Sequence, residues 1–138
     1  MKNRLPLVAL AVAVLASFAA PARAADAAAP AQKKETSGVL YHVVSLKFKP
    51  GSTPEQIKGV EDAFRALKGK IPEIKTLAWG TNVSPEKHDK GFTHCFVLTF
   101  ATEKDRDAYL VHPDHKAFGK TLGPVFGDVF VIDFWGKE

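Results

Sequence analysis

Tyr109, His112 and His115 crowd around Pro113, just ahead of the last apolar run of the chain. A phenol and two imidazoles in so short a stretch can trade protons, or hold a polar ligand group, near neutral pH. For acid–base work the division of labour would be His115 as base, taking a carbon-bound proton. Tyr109 would then donate to the enolate oxygen that develops. The same residues also have an ordinary reading, in which Tyr109 packs and His115 bonds a helix end or a backbone carbonyl. Two more histidines, His42 and His94, stand on apolar strand faces. Alone, each would be a hydrogen-bonded core residue; together they point to one shared cavity.

Other chemistries are poorly served. His112 and His115 are three apart, which suits two metal ligands on one helix, but Pro113 pushes His112 out of helical geometry. No carboxylate or second motif completes a zinc pattern, so no metal is expected. No glycine-rich phosphate loop follows a strand and no serine elbow is present, and no cofactor is expected. His88 falls in a polar loop and reads as solvated. Asp133 could be a site acid, although a carboxylate bonded to backbone is the simpler reading. Trp79 and Trp135 read as packing anchors.

The elements that must position these groups follow from periodicity. Val39 to Phe48 alternates, with Leu40, His42, Val44, Leu46 and Phe48 on one face, and Pro50-Gly51 ends this strand. Thr53-Pro54-Glu55 supplies a cap and a first-turn proline for a helix lined by Ile57, Val60, Phe64 and Leu67. A second strand is expected over Glu73 to Val83, its Gly80 marking a bulge or a close approach. Phe92 to Phe100 is the strongest strand, apolar or uncharged on both sides and therefore expected to be central. Thr102 caps a short helix from Glu103 to Leu110. A second short helix runs from Pro113 to about Leu122, and Gly127 to Trp135 is the last strand. Strand, helix, two strands, helix, strand defines an α+β, ferredoxin-like βαββαβ sheet.

The first four residues are basic, and an apolar run from Leu5 to about Ala20 leads to Ala22-Arg23-Ala24. That is the form of a secretory signal peptide, residues 1–24, cleaved after Ala24. The run is shorter than the ~20 residues that span a bilayer, so no stable membrane anchor is expected after cleavage. The expected location is the bacterial periplasm or the medium. Lys2, Arg4 and Arg23 leave with this segment, which takes the formal net charge from +4 to +1. With lysines scattered among acids, no nucleic-acid footprint remains. Residues 25–37 are small or polar and read as a disordered leader, leaving one domain over 38–138. Cys95 is the lone cysteine and can form no internal disulfide.

The sheet face turned from the helices would carry Tyr41, Val43, Cys95, Val97, Phe130 and Ile132. So much apolar surface marks an interface, and two such sheets packed face to face close a barrel; a homodimer is expected.

The stretches Tyr41-His42-Val-Val-Ser-Leu-Lys47-Phe48-Lys, Trp79-Gly80-Thr-Asn82-Val, Gly91-Phe-Thr-His94 and Tyr109-Leu-Val-His112-Pro113-Asp-His115-Lys-Ala-Phe118 carry a resemblance. Closing on Ile132-Asp133-Phe134, they resemble the stress-responsive dimeric α/β-barrel (Dabb) domain family, from about Leu40 to the end of the chain. The resemblance implies the dimeric barrel and says little about activity, because most members have no established reaction. It runs closest to a plant polyketide cyclase, which implies Tyr109 and His115 as a catalytic pair and His42 and His94 as further pocket histidines. Phe64 stands where that cyclase has a tyrosine, so one hydroxyl is missing here. The expected ligand contacts are His42, Val44, Phe64, His94, Phe96, His112, Phe118 and Val131. The leading reading is an exported homodimer that binds a small, largely apolar or aromatic molecule. The alternatives are a cofactor-independent cyclase or lyase using Tyr109 and His115, and a structural stress protein with no ligand. Export weighs against direct transfer of the plant reaction, since coenzyme-A-linked polyketides are cytoplasmic.

Overall fold

The computed structural model describes residues 38–137; the expected signal segment and leader lie outside them. The elements are β1 (Leu40–Phe48), α1 (Pro54–Lys70), β2 (Thr76–Thr81), β3 (His94–Phe100), α2 (Glu103–Val111), α3 (Pro113–Leu122), a 3-10 turn (Gly123–Val125) and β4 (Phe126–Trp135). The strands form one antiparallel sheet in the order β2-β3-β1-β4, the ferredoxin-like arrangement.

Local chemistry sets the helix ends. Thr53 caps α1 by accepting from Gln56 N, and the Gln56 side chain returns the bond to Thr53 N at 2.9 Å. Pro54 sits in the first turn, where no amide hydrogen is needed. Val60, Phe64 and Leu67 then fall on one face and are buried against the sheet. Burying each contributes roughly 1.5–3 kcal/mol. Thr102 caps α2 through Asp105 N at 3.0 Å. His112 is extended at φ −60°, ψ 139°, as the residue before proline must be, and it separates α2 from α3.

The core is one sandwich of α1, α2 and α3 on the inner sheet face, built on Leu40, Val44, Leu46, Phe96, Leu98 and Phe100. Phe96 is clamped between Phe64 (ring centroids 3.9 Å apart) and Trp79 (5.7 Å). The Arg65 guanidinium lies 5.4 Å over the Trp79 ring, so this tryptophan anchors the β2 edge.

Two strand expectations need correction. β2 is shorter than 73–83 and β3 begins at His94 rather than Phe92. Ile74 is fully buried before β2 starts, so its apolar character serves a turn and not a strand. Gly80 makes neither a bulge nor a close approach: β2 pairs with β3 in unbroken register, and a Cβ at Gly80 would meet open space. The register shift lies between Lys47 and Phe48, opposite β4. The crowded glycine is Gly127, where a Cβ would stand 2.7 Å from the Lys47 carbonyl oxygen.

On the outer face, cross-strand rows run Thr76–Thr99–Tyr41–Phe134, Ala78–Val97–Val43–Ile132 and Gly80–Cys95–Ser45–Phe130. Phe130, Ile132 and Phe134 are 51%, 45% and 47% exposed. The apolar surface expected there is present in the single chain.

Candidate functional site

Between β1, β4, α2 and α3 the inner face leaves a cavity of about 350 Å³. Its floor is sheet: the pairs His42–Asp133, Val44–Val131 and Leu46–Val129 stand side by side across β1 and β4. Its roof is α3, whose His115, Phe118, Gly119 and Leu122 recur at the spacing that puts them on one face. Tyr109 and Leu110 close it from α2, Phe64 from α1, and Phe126 from the start of β4.

Of the residues expected at a site, Tyr109, His115, His42, Val44, Phe64, Phe118 and Val131 meet at this wall. His94, Phe96 and His112 do not, which corrects their expected placement. His94 is buried, with Nε2 3.0 Å from Glu61 Oε1, Nδ1 2.8 Å from Thr93 Oγ1, and the Phe48 ring edge-on at 5.0 Å. It also borders a hollow on the outer face. Phe96 lies one layer deeper, under Phe64. His112 is a capping residue: its Nδ1 accepts from Asp114 N at 3.2 Å.

The three polar rings of the cavity are in contact. Tyr109 stands 4.4 Å from His115 and 5.6 Å from His42, between ring centroids. Tyr109 is fully buried, and its hydroxyl has no hydrogen-bond partner. Burial, with the Asp133 carboxylate adding to it, pushes the phenol well above its usual value, so the hydroxyl stays protonated and remains a donor. His115 Nδ1 donates to the Leu110 carbonyl at 3.2 Å, which leaves its Nε2 as the lone-pair nitrogen of the neutral ring. Burial holds the His115 imidazole below its ordinary value, with the neighbouring His42 and His112 acting in the same direction. His42 Nδ1 lies 2.5 Å from Asp133 Oδ1, and the other Asp133 oxygen accepts from Arg106 Nη1.

Asp133 is thus held by side chains and not by backbone, which corrects the simpler expectation. Sequence reading also missed Arg106, Leu46, Leu122 and Val129. The signals existed: alternation on β4 that places Val131 inward also places Val129 and Asp133 inward, and helical spacing from His115 reaches Leu122. Arg106 offered no such signal, because its place depends on how α2 crosses the sheet edge. Among the described residues no cluster of metal-ligating side chains occurs.

A ferredoxin-like domain with an apolar cavity between helices and sheet, walled by a phenol and imidazoles, defines a class of small α+β barrel proteins. Residues 40–136 match the stress responsive A/B barrel domain, and the chain belongs to that family. It is 33% identical over 101 residues to the stress-response A/B barrel domain-containing protein HS1 of Arabidopsis thaliana, covering 73% of this chain and 93% of that protein. It is 28% identical over 99 residues to olivetolic acid cyclase of Cannabis sativa, covering 72% and 98%. Among solved structures, hydroxynitrile lyase from Passiflora edulis superposes with a TM-score of 0.69 at 26% identity, over 75% of this chain and 97% of that one. A dimeric ferredoxin-like protein from Thermobifida fusca gives 0.62 at 26%, over 71% and 91%.

Proposed function

We propose that this protein is an exported homodimer that binds a small, largely apolar molecule, held at one polar point by Tyr109, His42 and His115. One observation carries the reading: a phenol without a partner and two imidazoles, each with Nδ1 already engaged, converge on a cavity whose lining is apolar apart from these rings and Asp133. Orphaned polar groups cost stability unless something supplies their bonds, and an occupant of the cavity is what would supply them. The Tyr109 hydroxyl is sealed from water, so an occupant reaches it by displacing a rim side chain. Leu110 and Phe126, 42% and 36% exposed, are the cavity-lining side chains that also face solvent on α2 and at the start of β4.

The homodimer is supported by the exposed outer face and by dimeric neighbours in the fold. The face is also lopsided. Ala78, Gly80 and Cys95 border a hollow of about 640 Å³ that Phe130 also lines, while Ile132 and Phe134 stand exposed on β4 beyond it. In a two-fold pairing the bulky edge of one copy lies over the small-residue edge of the other.

A second reading is favoured by one further observation. His115 is held neutral by burial with Nε2 unpaired, the state a proton acceptor needs, and Tyr109 is a protonated donor beside it. The cyclase and lyase among the similar proteins support acid–base chemistry of this kind. Calorimetric titration with 4-propylphenol tests the binding reading. Saturable binding to the wild type, abolished by Val131→Trp in a folded dimer, is expected. No binding by the wild type, together with no small molecule retained in native mass spectra of protein from its own host, overturns it.

A further inference from the structure

The cavity wall is backed by a charged chain that reaches the surface. Arg106, on α2, donates from Nη1 to Asp133 Oδ2 and from Nε to Asp107 Oδ1 at 2.7 Å. Asp133 Oδ1 lies 2.5 Å from His42 Nδ1. The Arg106, Asp133 and His42 side chains are 19%, 26% and 6% exposed, so the chain is partly buried along its length and most deeply at its His42 end. Both oxygens of the Asp133 carboxylate are therefore occupied from within the protein, one by a guanidinium and one by an imidazole.

Two consequences follow from donor and acceptor inventory alone. A carboxylate only accepts, so in the neutral His42 ring the hydrogen sits on Nδ1 and the lone pair on Nε2. The same holds for His115, whose Nδ1 donates to the Leu110 carbonyl. Asp133 also lines the cavity, with both oxygens already engaged. An occupant that displaces the rim then finds one hydrogen-bond donor, the Tyr109 hydroxyl, and two unengaged acceptors, both Nε2 atoms. A ligand hydroxyl accepts from Tyr109 and donates its single hydrogen to one of the two Nε2 atoms. A ketone or an ether only accepts, and leaves both imidazole nitrogens unpaired.

We propose that Arg106, acting through Asp133, is a positioning residue that fixes the His42 tautomer and thereby makes the cavity select neutral hydroxyl-bearing ligands, alcohols and phenols, over acceptor-only ones. This rests on the binding function proposed above. Arg106 bonds the carboxylate but is not itself part of the cavity lining. Without it, Asp133 Oδ2 is unpaired, the carboxyl group is free to turn, and His42 loses the fixed acceptor that orders its ring.

The test compares 4-propylphenol with its methyl ether, 4-propylanisole, in which a methyl group replaces the hydroxyl hydrogen and the oxygen can only accept. Titrations run at pH 8.5 on wild type, Arg106→Gln and Arg106→Lys, alongside nitrogen-15 spectra of the imidazole rings. Wild type is expected to bind the phenol about tenfold more tightly than the ether, one hydrogen bond to an otherwise unpaired acceptor. Its His42 spectrum should show the Nδ1–H form. With His115→Phe in the background of every variant, so that His42 Nε2 is the one imidazole acceptor left, Arg106→Gln should lower the preference to about twofold or less, with mixed His42 tautomers and unchanged ether affinity; Arg106→Lys should recover part of it. A purely structural Arg106 would lower both affinities together and leave the ratio intact, which overturns the proposal. So does an Nε2–H form of His42 in the wild type. If neither probe binds the wild type, the binding function itself is overturned, an outcome distinct from a lost ratio.

Discussion

Replacing Tyr109 by Phe should stabilise the empty protein and weaken its hold on a hydroxyl-bearing ligand, two effects of opposite sign from one oxygen atom. The Tyr109 ring is fully buried, in contact with Phe100 at 5.3 Å, His42 at 5.6 Å and His115 at 4.4 Å, and the substitution keeps all of it. What changes is a hydroxyl that water solvates in the unfolded chain and nothing solvates in the folded one. Leaving such a group unpaired costs about 1–3 kcal/mol, so its removal should recover about 1 kcal/mol after the lost contacts of the oxygen are set against it. In a domain of this size that raises Tm by roughly 4–8 °C. Urea unfolding at matched protein concentration should show a higher midpoint with an unchanged slope. Titration with 4-propylphenol should show affinity reduced about 2- to 12-fold, the net worth of one hydrogen bond. A Tyr109→Phe protein that is less stable than wild type by 1 kcal/mol would mean the hydroxyl already has a partner inside the protein, and the reasoning fails.

The pH dependence of stability isolates His115. Burial depresses its folded value, so between about pH 6.5 and that lower value the unfolded chain binds the proton and the folded one does not. Stability should therefore fall as pH drops through this window and level off below it, and His115→Gln should flatten the fall measured by urea unfolding at stepped pH. On the outer face, wild type should sediment as the proposed dimer and Ile132→Lys as a folded monomer at micromolar concentration in analytical ultracentrifugation, because a cation then faces the apolar partner surface. A dimer that survives this change would place the interface elsewhere. At the bulge, Gly127→Ala should cost about 1–3 kcal/mol in urea unfolding, because a Cβ there meets the Lys47 and Phe48 backbone, which cannot yield as a side chain would. Amino-terminal sequencing of protein exported by its host should begin at Ala25, and a start at Met1 would remove the signal-peptide reading.

Alternation of two and spacing of three or four carried most of the fold, because each element here buries one face against one layer. β1 and β3 show this plainly: His42, Val44 and Leu46 point inward with Phe96 and Leu98, and their neighbours point out. Periodicity weakened where burial did not follow the ladder. Ile74 is as buried as any strand residue yet belongs to a turn, and Gly80 marked an open edge while Gly127 took the tight approach. The cavity was legible to the extent that one stretch of chain supplied it, since Tyr109 of α2 and His115 and Phe118 of α3 are close in sequence. His94 shows where that logic stops. It shares an inward face with Phe96 and Leu98, but it lies at the far end of β3, where Glu61 of α1 descends to meet it before any ligand could. Facing inward says which layer a residue enters, not which of several partners across that layer reaches it first. Asp133 makes the converse case, a lone acid on an apolar strand whose role depends on His42 of the neighbouring strand and Arg106 of a helix. Neither is near it in sequence, and only the register of β1 against β4 brings the imidazole and the carboxylate into line. That is why the residue types of the site could be read from one segment, while the group that orients them could be read only from the folded chain.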